Sequence, residues 1–176
     1  MKRLNAGISG IPHPVYRRTV TMLKKKLLRD FLCRNIPYLR DNPEKLWMDT
    51  ENGIMTASLT PSLSHRESYT LIITLYDYTG SMALLTTMLN MWLRQNEPDI
   101  FATEATRHDG CRFETTQINS GNDDITIRLK LTERTIVTED GNTLKIVQKG
   151  EPPLPSGESD PLLIFLEEKP TLQVTL

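Results

Sequence analysis

The apolar positions change period several times along the chain, and each change marks an element. From Leu23 they fall at 23, 27, 28, 31, 32, 36 and 39, the stripe of a helix, which leaves Lys24, Lys25, Lys26, Arg29 and Arg34 largely outward. Pro37 cannot donate an N–H and biases Ile36 away from helical backbone, so this helix should stop or kink there, with Asp41-Asn42-Pro43 as a loop. Segments 46–50 and 54–59 flank Asn52-Gly53, a pair suited to a two-residue turn with positive φ, and so predict an antiparallel hairpin. Over 69–76 the period drops to two. Tyr69, Leu71, Ile73 and Leu75 share one face, and Thr70, Ile72, Thr74 and Tyr76 the other, which is only half polar and suits covering by another chain or by helices.

Ser81 is an N-cap for a helix that should end at Asn96, before Glu97-Pro98. Its stripe of Met82, Leu85, Met88, Leu89 and Trp92 is widened by Leu84, Met91 and Leu93 beyond what one sheet needs to cover. Such a Met-rich stripe reads first as adaptable core and second as a binding groove. Segments 113–119 and 125–137 read as strands around Ser120-Gly121-Asn122-Asp123. In the second, Ile125, Ile127, Leu129 and Leu131 alternate with Thr126, Arg128, Lys130 and Thr132, and Asp140-Gly141 turns it into a further strand over 143–148. Together these predict an α+β fold, a largely antiparallel sheet packed by two helices in the order α-β-β-β-α-β-β-β.

The two ends differ from this body, which spans 22–150. Residues 1–21 carry Gly7, Gly10, Pro12 and Pro14 without an apolar period, and read as a leader or a non-native extension ahead of Met22. Residues 151–161 hold Pro152, Pro153, Pro155 and Pro161 and read as a stiff linker. Beyond it, Leu162, Leu163, Ile164, Phe165 and Leu166, followed by 172–176, form a C-terminal strand arm over 162–176. An apolar strand on a semi-rigid spacer should dock by edge addition, on its own sheet or, as favoured here, on a neighbour's.

With 176 residues and 38% hydrophobic content, the chain can build one core without disulfides, which fits its two cysteines. A net charge of −1 excludes global electrostatic attachment to nucleic acid. The charge is nevertheless polarised: residues 1–45 hold eleven Lys/Arg against three Asp/Glu, a net of +8, and the remainder ten against nineteen, a net of −9. That basic pole is either a solvated helix face or a surface read by an acidic partner. Tyr16, Arg17, Arg18, Lys24, Lys25, Lys26 and Arg29 allow at most transient, sequence-blind contact with phosphate, because stacking aromatics do not accompany them. No apolar run approaches the ~18 residues of a spanning helix, and no membrane partner is expected.

Catalytic chemistry finds little support. There is no Gly-x-Gly-x-x-Gly and no Walker lysine, and His13, His65 and His108 are scattered. His108 and Cys111 lack two further ligands for zinc and an orienting group for a nucleophile pair. Ser64-His65-Arg66-Glu67 and Asp123-Asp124 read as turn chemistry. No catalytic residue, metal site or cofactor is therefore expected.

Several segments carry a resemblance: 23–46 with Asn42-Pro43, ASLTPSLSHRESYTLIITLYDYTG at 57–80, WLRQNEPDI at 92–100, ITIRLKLTERTIV at 125–137, and Glu151-Pro152-Pro153. Collinear over 22–176, they resemble the tail completion R protein family of P-two-type contractile-tailed phages and prophages, whose members open near Met-Leu-Lys as at Met22-Leu23-Lys24. The resemblance implies a structural, non-enzymatic virion protein, assembled in the bacterial host cytoplasm and added to the head-proximal end of a finished tail tube and sheath. It further implies kinship with tail terminators, small subunits that form hexameric rings. The partners would be other copies of itself, tube and sheath subunits, neck or head-tail connector proteins, and DNA in transit through the channel. On this reading the Met82, Leu85, Met88, Leu89, Trp92 stripe and the Leu162 to Leu166 arm are subunit-contact candidates. Lys24, Lys25, Lys26 and Arg29, with Arg128, Lys130 and Arg134, are electrostatic-interface or lumen candidates. The alternatives are a neck or head-tail joining protein, and a basic-arm nucleic-acid-binding module.

Overall fold

In the computed structural model, which describes residues 22–152, 162–166 and 169–174, the stripe that starts at Leu23 forms α1 (Leu23–Asn35) and buries Leu28 and Leu32. The helix stops where proline requires. Ile36 is extended, and Pro37 takes the first position of a short α2 (Pro37–Asp41), where its missing N–H costs nothing.

The expected hairpin at Asn52-Gly53 is corrected to a single strand, β1 (Leu46–Ala57), antiparallel to β2 (His65–Tyr78) along its length. Asn52 does adopt a positive φ of 55°, but the ladder resumes from Glu51↔Thr70 to Ile54↔Ser68, so the residue makes a bulge rather than a reversal. A long β2 lets both halves of β1 pair with it, which keeps more ladder bonds than two short arms closing on each other. The reversal comes later, between Ala57 and His65.

Ser81 caps α3 (Met82–Asn96), its hydroxyl accepting the Leu84 N–H at 3.3 Å. A short α4 (Glu104–Asp109), opened by a Thr103/Thr106 capping box, then leads to β3 (Cys111–Asn119), β4 (Asn122–Asp140) and β5 (Thr143–Lys149). The architecture is α+β. One antiparallel sheet runs in the order β1-β2-β4-β3, with β5 also on β4, and α1 and α3 pack on its apolar face. Because β1 is one strand, five strands rather than six make this sheet. Leu71, Ile73, Leu75, Ile127 and Leu129 meet Leu28, Leu32, Leu85 and Met88 in the core, each side chain contributing roughly 1.5–3 kcal/mol by burial.

One consequence of register positions everything below. Ile125 to Leu129 pair with β2 on one side and β3 on the other, and Arg134 and Thr135 pair with β2 and β5. Thus β3 and β5 lie end to end along one edge of the 19-residue β4, leaving a gap near residues 130–133. The α3–β3 connection fills it: the Gly110 carbonyl accepts the Lys130 N–H at 2.8 Å, and the Glu97 carboxylate accepts the Thr132 N–H at 2.8 Å.

Beyond the body, β6 (Leu162–Leu166) and β7 (Lys169–Val174) pair with each other as a separate two-stranded sheet. The expected leader, and the proline linker from 153 to 161, lie outside the described residues.

Candidate functional site

A helix start leaves orphan N–H groups, and that of α1 abuts β4, which supplies the acceptor. Glu133 receives the Leu23 N–H at 3.0 Å and the Lys24 N–H at 2.8 Å, a strand carboxylate capping a helix from outside its own sequence. The Tyr69 hydroxyl donates to the same group at 2.7 Å. Burial, this hydrogen bond and the surrounding carboxylates hold that phenol protonated far above its ordinary range.

Lys24, read from the sequence as outward, is corrected: it is 2% exposed. Its ammonium lies 2.9 Å from Glu97 Oε2 and 3.1 Å from Glu151 Oε1, while Glu97 Oε1 accepts the Thr132 hydroxyl at 2.9 Å. The residue sits in the first turn of α1, where the helix meets the gap in the sheet, so its charge is needed to offset two carboxylates there. Glu151, the first residue of the linker, is thereby pinned to the body.

Two of the other α1 cations, Lys26 and Arg29, also have partners, whereas Arg34 stays exposed, as the sequence implied. Lys25 is half-buried, Lys26 pairs with Asp30 at 2.6 Å, and Arg29 donates to the Leu46 and Pro43 carbonyls at 2.6 and 2.8 Å. Within the described part of the basic pole, Lys24 and Arg29 brace the body, while Lys26 pairs with Asp30 on the surface. The α3 stripe follows the first of its two readings, adaptable core. Leu85, Met88, Leu89 and Trp92 are buried in the chain's own core, because a five-stranded sheet is wide enough to need them all. Met82 and Met91 stay half-buried, Met82 beside an apolar cleft of about 180 Å³ also lined by Phe101 and Phe113.

The solvent face of the sheet is where charge collects. Arg128 stands directly opposite Arg112, an unfavourable pairing that carboxylates relieve: Glu114 meets Arg128 at 3.1 Å, and Asp109 bridges Arg112 and Lys130. The Lys130 hydrogen bond and the nearby Arg112 hold the Asp109 carboxyl below its ordinary value. Farther along β4 the same crowding recurs without relief. Arg66, Arg134 and Lys149 occupy adjacent positions on β2, β4 and β5, all exposed, and among the described residues none pairs with a carboxylate. Arg134 was legible as a candidate; Arg66 and Lys149 were not, since only the register brings them to it.

This cationic row lies at the end of the sheet that extends past the helices. Ile54, Met55, Leu59, Leu63, Leu144 and Ile146 are exposed there, Met55 and Ile146 each at 66%. Ser64 ties the β1–β2 connection to this end through the Val137 N–H, accepted at 3.0 Å. So many apolar side chains in water at one end of a domain mark an interaction surface.

The remaining candidate chemistry is engaged locally. Burial pushes the Cys111 thiol up, away from the thiolate a nucleophile needs, and Asp124 accepts the Asp77 N–H at 2.9 Å across the bulge between β2 and β4. Among the described residues no group of His, Cys, Asp and Glu could hold a metal ion. A cavity of about 600 Å³ opens beside the sheet gap, but Glu97, Asp109 and Lys130 in its wall already pair with protein groups. No helix among the described residues is long and apolar enough to cross a membrane.

Comparison with known proteins gives a consistent result. The family described as P2 phage tail completion protein R (GpR) matches residues 22–152. The chain is 36% identical to the tail completion protein R of Escherichia phage P2 over 145 residues, covering 82% of this chain and 94% of that one. No solved structure matches.

Proposed function

The chain belongs to the P2 phage tail completion protein R (GpR) family, and we propose that it is a structural virion protein that completes the head-proximal end of a contractile phage tail. On this reading copies of the chain assemble into a ring, a hexamer by kinship with terminators, that caps the tube and sheath, halts their growth and readies the tail for the head. The match over 22–152 is the observation that carries the reading. The end bearing Ile54, Met55, Leu144 and Ile146 supports it, because a capping subunit must meet the open edges and apolar patches that a growing tube presents.

Among the β4 cations, Arg128 and Lys130 already hold carboxylates, which leaves Arg134 as the one a partner would meet. DNA crossing the ring makes at most transient contact with it, without base readout.

Electron microscopy of tails made without this protein tests the proposal. Tubes of irregular or excessive length are the expected result, reversed by supplying the chain in trans. Normal tails left unattached would move the protein to a neck or head-tail joining role, and intact infectious particles would overturn both.

A further inference from the structure

We propose that the row Arg66, Arg134 and Lys149, together with the open edge of β5, is the seat for the β6–β7 hairpin of a second copy; this rests on the ring reading above. Three observations converge. First, three exposed cations lie side by side without carboxylate partners among the described residues, whereas the Arg112/Arg128 pair on the same face has Glu114 and Asp109. Mutual repulsion of that kind is relieved by an acidic partner. Second, β5 pairs only with β4 among the described strands, so its far edge offers unused backbone donors and acceptors beside exposed Leu144 and Ile146.

Third, the complement of both features lies in the chain's own C-terminal segment. Residues 151–176 carry five Asp/Glu and one Lys, and Glu167-Glu168 joins the wholly apolar β6 to β7. An incoming strand alternates its side chains across both faces of the sheet, so edge addition serves Leu144 and Ile146 on one face and the cations on the other.

The tether is long enough to reach a second copy. Lys24 fixes Glu151 to the body, and ten residues with four prolines separate it from Leu162. By composition that spacer reaches about 31 Å, at ~3.1 Å per residue. The seven residues of β5 span only about 23 Å, so a spacer of that contour length can carry Leu162 beyond its own strand to a neighbour.

A charge exchange between full-length chains tests this. One variant carries R66E, R134E and K149E, the other E167K and E168K, and native mass spectrometry reads assembly. The expected result is an oligomeric wild type, each variant alone at least tenfold less assembled, and an equimolar mixture restored to wild-type size. Assembly of either variant alone overturns the inference, and so does a mixture that stays dissociated while a chain bearing all five substitutions assembles, since the hairpin then docks on its own body. Should the triple reversal not fold, a photo-crosslinker at position 146 in mixed isotope-heavy and light chains gives the same answer. Heavy-light links to 162–174 support exchange, and links confined to one label overturn it. An oligomeric wild type that ignores these changes removes this seat while the ring stands, whereas a monomeric wild type removes both.

Discussion

Replacing Glu133 with alanine removes the group that joins α1, β2 and β4, and the structure sets the size of the effect. The carboxylate is 2% exposed and accepts from the Leu23 and Lys24 amides and the Tyr69 hydroxyl at 3.0, 2.8 and 2.7 Å. Each buried donor left without a partner costs about 1–3 kcal/mol, and an anion at a helix N-terminus contributes about 0.3–2 kcal/mol. Part of that sum is offset, because a buried carboxylate no longer has to be desolvated, which leaves a net loss of about 3–5 kcal/mol. For a body of this size that corresponds to roughly 10–20 °C in Tm. Urea unfolding followed by the fluorescence of buried Trp92 checks it: the midpoint should fall with the slope unchanged. Tyr69→Phe alone should cost about 1–2 kcal/mol and be nearly silent in the Glu133→Ala background, since the two share one bond. A loss below about 1 kcal/mol for Glu133→Ala would refute the view that this carboxylate anchors the helix.

Leu85→Ala should destabilise the isolated chain by about 2–5 kcal/mol in the same titration, because the side chain is fully buried; unchanged stability with lost assembly would return the α3 stripe to the surface. Alkaline pH should weaken the fold. Burial raises Tyr69 and Tyr78 above their ordinary 10.0, Tyr78 to about 12, so their contribution is complete below pH 10 and declines as pH rises toward 12. The slope is up to about 1.4 kcal/mol per pH unit for each tyrosine, and stability that stays flat across that window in urea titrations contradicts the assignment. Gly110→Ala should cost about 1–3 kcal/mol by thermal melting, since a Cβ there would overlap Ile100 and come within 2.6 Å of the Thr106 carbonyl; an unshifted Tm would show that the α4–β3 corner yields freely.

Local periodicity was enough to find α1, its stop at Pro37, the Ser81 cap, α3 and the alternation of β2 and β4, because each depends on neighbours a few residues away. The α+β class and the family follow from those same segments. What the sequence alone could not decide was which elements would meet. Asn52 held the backbone freedom of a turn, but whether it closed a hairpin or bulged a strand depended on the length of β2, a partner more than ten residues on. Lys24 had the position of a surface cation until α1 docked its first turn against Glu97 and Glu133, which lie 73 and 109 residues away. The row of Arg66, Arg134 and Lys149 exists only through register, since charges far apart in the chain become neighbours when strands pair. Periodicity is a one-dimensional property that local backbone sterics enforce, whereas partner choice for a charge is set by the three-dimensional balance of desolvation and pairing that the docked sheet and helices create.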